Sequence, residues 1–311
     1  MKKTVVVLFV FVLSLFIVSI LLAAPSQEEI VPAKTQWAIH IDIEKMISTR
    51  LGQTLKKEES HRWIWKRKHI NRKLKFDPVK DLKSVTVFWG EGMGPEPAAF
   101  VKGKFDRNFL LGLLEEEESH RETSYGETTI HHWNDDDYGA FYGEDMIVFS
   151  ESEKSLKVAL DVLTGKSKGI PISKFVDPKI MSKDVFLTAF ASDISSLKKY
   201  DRSFILEKMD SMNLTASERG DKLDIRLNLM TVAAKDAENM KHVIRGLMAM
   251  ADLKLEKIES KTKITDVVQI SADGKELHLQ LVYPVEELLD ILLGKKDLDL
   301  FHLARHLESY H

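Results

Sequence analysis

The sequence predicts an α+β protein of two related halves, each a mainly antiparallel sheet with helices packed on one face. Three observations predict it. First, alternating stretches are joined by tight turn signals, Arg219-Gly220-Asp221 and Asp273-Gly274, which make hairpins and therefore antiparallel pairs. Second, apolar residues recur at i, i+3, i+4 and i+7 in several stretches, the spacing of a helix with one buried stripe. Third, a strand-to-helix stretch occurs twice. Asp145 to Lys166 reads DMIVFSESEKSLKVALDVLTGK and Gly274 to Lys295 reads GKELHLQLVYPVEELLDILLGK, with five of 22 aligned pairs identical. Their stripes are Leu156, Ala159, Leu160, Leu163 and Val285, Leu288, Leu289, Leu292. Each helix stops at Gly-Lys: the glycine takes the left-handed cap, and the lysine suits the negative helix end.

The chain opens with Lys2 and Lys3, an apolar run from Thr4 to Leu22, and the small pair Ala23-Ala24. That order predicts a signal peptide or an N-terminal membrane anchor over residues 1–24, with the rest exported to a periplasmic or extracellular space. There is no cysteine, so neither a disulfide framework nor a lipid anchor on cysteine is available. Net charge is −3, and the first segment carries two of the lysines, so nothing in the balance calls for nucleic acid as a partner.

Residues 25–35, polar with two prolines, read as a linker. The first half spans 36–168. Trp37 to Ile43 alternates as a strand with Trp37, Ile39, Ile41 and Ile43 on one face, and Asp42 caps a helix carrying Ile43, Met46, Ile47 and Leu51. Strands follow at Ser84 to Trp89 and Ala98 to Lys102, then a helix capped by Asp106 with Phe109, Leu110, Leu113 and Leu114. Thr128 to Trp133, Tyr138 to Tyr142 and Met146 to Ser150 form a meander. The seam falls between Gly165 and Lys183, which holds Gly169, Pro171 and Pro178. The second half spans 184–295. It has Val185 to Ile194, then Asp193 as a helix cap, then strands at Asn213 to Glu218 and Lys222 to Met230. A helix with Ala237, Met240, Ile244, Leu247 and Met248 precedes the hairpin Val267 to Ser271 and Glu276 to Val282. Residues 296–311 read as a helical tail.

The segments FDPVKDLKSVTVF (Phe76 to Phe88), VKGKFD (Val101 to Asp106), the helix around Gly246 and PVEELLDIL (Pro284 to Leu292) resemble those of uncharacterised secreted bacterial proteins built of two divergent α+β halves behind a signal peptide. The resemblance covers Trp37 to Lys295. It implies an architecture and an envelope location, and it carries no catalytic residue.

The densest polar cluster is His131, His132, Asp135, Asp136 and Asp137. Its residue types are metal ligands, but neighbouring histidines on a strand point to opposite sides and the aspartates sit where a turn is needed. Ser195 and Lys198 match SxxK, which would bring a hydroxyl near an amine, yet no further partner motif follows. His302 and His306 share one helix face but are two ligands only. Gly90 to Gly94 follows a strand and opens no helix, so it is a hairpin loop rather than a phosphate cradle. No cofactor motif and no metal set is predicted.

Lys56 to Lys75 is the one anomaly of composition. Nine Lys/Arg face two Glu there, and Trp63 and Trp65 lie between the charges. Trp63, Trp65, Lys66, Arg67 and Lys68 are the candidate contact with a membrane surface or an acidic envelope polymer. The sequence therefore points first to an exported cell-envelope protein that binds or supports rather than catalyses, with a protein partner also open. It points second to an extracytoplasmic hydrolase using His131/His132/Asp135–Asp137 or Ser195/Lys198.

Overall fold

A computed structural model describes residues 30–57, 70–194, 206–257 and 262–292. The elements run β1 (Ile30–Pro32), β2 (Thr35–Asp42), α1 (Ile43–Ser48), α2 (Arg50–Lys57), β3 (Leu82–Gly90), β4 (Ala98–Gly103), α3 (Arg107–Glu115), β5 (Arg121–Tyr125), β6 (Thr128–Trp133), β7 (Asp137–Tyr142), β8 (Met146–Ser150) and α4 (Glu153–Leu163). They continue with β9 (Gly169–Pro171), β10 (Val185–Ala191), β11 (Met209–Arg219), β12 (Lys222–Thr231), α5 (Ala234–Lys257), α6 (Ile264–Val267), β13 (Val268–Asp273), β14 (Glu276–Pro284) and α7 (Val285–Leu292). The protein is α+β with antiparallel pairing throughout. The local signals work as their chemistry requires. Asp42 Oδ1 accepts from Lys45 N at 2.7 Å and Asp106 Oδ1 from Phe109 N at 3.0 Å, the side-chain caps of α1 and α3. Gly220 and Gly274 take φ of 66° and 57° in the hairpin turns.

The two halves do not keep separate sheets. Twelve strands form one sheet in the order β13-β14-β12-β11-β10-β2-β3-β4-β8-β7-β6-β5. The joint is β2 against β10, with Ile41 opposite Leu187 and Trp37 opposite Ala191. Pairing the two first strands removes two open edges, each a row of unpaired N–H and C=O groups. Helices α1 and α2 also cross the joint: Met46 of α1 and Leu51 of α2 pack with Val285 and Leu289 of α7.

Helices cover both faces, not one. On the front face Ala38, Phe88, Phe100 and Val148 pack under Leu156, Ala159 and Leu160 of α4, all of them no more than 1% exposed. On the back face Val85 and the partly buried Ile41 and Val101 meet α1 through Ile43 and Ile47. The second half's odd-numbered residues, Leu223, Ile225, Leu227 and Leu229, meet α7 and α5 on that same back face. So α4 and α7, the two helices of the apparent repeat, lie on opposite faces of one sheet. The connections differ: two residues, Glu151 and Ser152, separate β8 from α4, whereas Val285 opens α7 directly after Pro284.

Other expectations change as well. The stripe Trp37, Ile39, Ile41 is the less buried side of β2: Ile39 is 43% exposed while Ala38, His40 and Asp42 are buried. The stretch 25–35 is not all linker, since Ile30–Pro32 pairs with Gly169–Pro171 and Val31 is wholly buried. The seam likewise folds back onto the front face, burying Ile172, Val176 and Ile180 and stacking Phe175 on Phe190 at 4.3 Å. In α5, Leu247 turns outward because Ala237, Met240, Ile244 and Met248 already take the sheet side. None of the α3 stripe is fully buried. Among the described residues no helix is long and apolar enough to cross a membrane.

Candidate functional site

Past the reach of α4 and the folded-back seam, the front face turns polar. Even-numbered residues of β12 and β14 stand opposite one another there: Arg226 against Gln280, and Asn228 against His278. Alternation forces this set onto one face once the odd-numbered leucines take the back. Arg226 holds Asp224 through Nε at 3.2 Å and Nη2 at 2.9 Å, and Gln280 Nε2 donates to the same carboxylate at 2.9 Å. Burial alone would raise the Asp224 pKa, but the hydrogen bonds from Arg226 and Gln280 and the charges of Arg226 and Arg219 outweigh it and hold it below the usual range. Asn228 Nδ2 donates to Asp177 of the seam at 2.9 Å, and its Oδ1 lies 3.0 Å from His278 Nδ1. Arg226, Asn228, His278 and Gln280, with Lys179 and Gln269, line a shallow depression of about 430 Å³.

A second cluster sits at the far edge of the sheet. The hairpin β5–β6 turns at Gly126 with φ of 63° and places Glu122 directly opposite His131. His120, two residues before Glu122, falls on the same face. His120 Nε2 is 3.2 Å from His131 Nδ1, which is 3.4 Å from Glu122 Oε1. One potential ligand atom from each of the three lies within 4.8 Å of the others. His131 is buried, and desolvation lowers its pKa, with Glu122 raising it and His120 and Arg107 lowering it. Phe141 meets its ring edge-on, and the Arg107 guanidinium sits over Phe141.

The cluster read from the sequence splits. His132 is on the opposite face from His131, stacked on Tyr138 at 4.5 Å, with Nε2 3.1 Å from the Asp135 carbonyl. Asp137 is buried against Asn134, which donates at 2.7 Å, while Asp135 and Asp136 are exposed in the turn. Desolvation raises the Asp137 pKa. These five residues do not converge. Gly94 sits in a packed hairpin loop, its N–H donating to Ser155 Oγ at 2.9 Å, rather than in a cradle. Ser195 and Lys198, the contact residues Trp63, Trp65, Lys66, Arg67 and Lys68, the segment 1–24 and the tail 296–311 all lie outside the described residues. His120 and Glu122 were missed because RETSY (121–125) carries no apolar alternation. The available signal was the two-residue spacer Gly126-Glu127, which sets the register and brings 122 opposite 131.

The fold and its polar surfaces define an α+β protein built on one long antiparallel sheet. No protein-family model matches the chain, and no curated protein matches it. Among solved structures the chain is similar to two crystal forms of TP0453. Form III shows 11% identity over 86% of this chain and 100% of that one, with a TM-score of 0.49. Form I shows 12% identity over 88% and 99%, with a TM-score of 0.48.

Proposed function

We propose that this chain is an exported cell-envelope protein that acts by binding rather than by catalysis. The polar depression on β12 and β14 carries the reading. Arg226 is paired with Asp224, Gln280 donates to the same carboxylate, Asn228 holds Asp177 and His278, and Lys179 stands exposed at the side, so no nucleophile and base meet there at a point where a bond could be broken. What the surface offers instead is a row of donors and acceptors on a rigid sheet, from Lys179, Asn228, Gln269 and His278. Such a surface suits an uncharged, hydroxyl- and amide-bearing envelope component such as a glycan strand. The N-terminal export pattern supplies the location, and the basic stretch around Trp63 and Trp65 supplies contact with the membrane surface or an acidic polymer.

Nuclear magnetic resonance titration with chitotetraose tests the reading. Shifts confined to Asn228, Gln269, His278 and Gln280, lost in Asn228→Ala, are expected. Shifts elsewhere, or none at millimolar ligand, would overturn it.

A further inference from the structure

We infer that His120, Glu122 and His131 form a zinc site that ties the edge strand β5 to β6. Cross-strand register carries the argument: Glu122 and His131 are a directly opposed pair, and His120 is the next residue on that face. Zinc bonds of about 2.0–2.1 Å set tetrahedral ligand–ligand separations of about 3.3–3.4 Å. The His120–His131 and His131–Glu122 distances are 3.2 and 3.4 Å. His131 Nδ1 faces both partners at once. One ring nitrogen has a single lone pair or a single hydrogen, so it serves one partner in line, whereas a cation between the three serves all of them.

Two imidazoles and one carboxylate are a borderline-hard set suited to Zn²⁺, leaving a fourth position for water. Glu122 is exposed, so its side chain can swing to close the triangle. Arg107, over Phe141, opposes the charge of the ion, and the Glu122 carboxylate offsets it. Four of the five β5 residues are exposed, so little apolar packing holds this strand, and a metal tie to β6 restrains it. The site lies at the opposite end of the sheet from the polar depression, so either proposal can fail alone.

The test is Co²⁺ titration of the full chain in detergent after chelator treatment, read by visible d–d absorption. One Co²⁺ per chain with tetrahedral intensity, displaced by Zn²⁺, is expected. Glu122→Gln and His120→Asn, both at accessible positions, should each weaken binding by more than the ~10–100-fold that loss of an outer-shell partner costs, with unchanged circular dichroism. His132→Asn and the pair His302→Asn/His306→Asn should leave it intact. Absence of stoichiometric binding, binding that survives both ligand changes, or binding lost in the His302/His306 pair would overturn the site.

Discussion

His40 Nδ1 lies 2.8 Å from Thr86 Oγ1, both buried on the front face where β2 meets β3. Burial, and then the charges of Lys102 and Lys45, lower the His40 pKa to about 4. The folded protein therefore keeps this imidazole neutral while the unfolded chain protonates it below about 6.5. In that window the unfolded state binds more protons, so stability rises with pH and is lost as pH falls from about 6.5 towards 4. Between pH 7.5 and 5 the loss from this residue is about 2 kcal/mol. Urea denaturation at the two pH values should show it, and His40→Gln should flatten the slope. An unchanged slope in that variant would place the titration elsewhere.

Glu218 of β11 joins the halves more strongly than the surface ion pair beside it. Its carboxylate accepts from Arg50 N at 2.5 Å and Leu51 N at 2.8 Å, two of the orphan amides that open α2. Glu218→Ala should cost about 1–2 kcal/mol, the range for losing a helix cap. The Arg50 guanidinium also pairs with Glu286, but both side chains are at least half exposed, so Glu286→Ala should cost less than about 1 kcal/mol. Thermal unfolding of the two variants would rank them, and the reverse order would refute the capping account.

Leu160 is wholly buried in α4 and Leu289 is 4% exposed in α7. Leu160→Ala and Leu289→Ala should each destabilise by about 2–5 kcal/mol. Because the two leucines belong to clusters on opposite faces of the sheet, their effects should add in the double variant. Denaturation curves matching the parent would show that the stripes are not core.

Those stripes, the caps Asp42 and Asp106 and the hairpin glycines were legible in the sequence because each depends on residues within about one turn of one another, while the helix expected after Asp193 lies outside the described residues. What was not legible depends on distant chain. Nothing near Ile39 says that the front of β2 will be covered by residues 172–180, which makes Ala38 the buried partner of Phe88 and Phe190. Likewise α4 and α7 join different clusters on opposite faces of one sheet, a difference that a repeat of similar stripes hides. The His120–Glu122–His131 cluster needed the register of β5, a strand too polar to announce itself.

Gly94 packs against the start of α4 so closely that a methyl group does not fit. A Cβ there would lie 2.0 Å from Ser152 Oγ and 3.0 Å from Ser152 Cβ. Gly94→Ala should destabilise by about 1–3 kcal/mol through overpacking. Ser152→Gly, which gives up the cap to Ser155 N but frees the space, should recover part of the loss in the double variant. Losses that simply add would show that the crowding is relieved some other way.

The basic stretch from Lys56 to Lys75 has a composition beyond what the fold asks of a connection. It leaves α2 at the exposed Lys57 and returns at the buried Ile70. Trp63 and Trp65 share one side if the chain between is extended and lie ~200° apart if it is helical. Tryptophan supplies apolar contact at a membrane interface, and each Lys or Arg near an anionic surface adds ~1 kcal/mol of attraction, which salt screens. Residues 25–311 should therefore bind anionic vesicles in a salt-sensitive way, and changing Lys66, Arg67 and Lys68 together to Gln should weaken that binding. Three such charges are worth up to about 3 kcal/mol, on the order of a hundredfold in affinity at low salt. Cosedimentation at low and high salt measures both effects. Binding indifferent to salt and to the three changes would leave the segment a solvated connection.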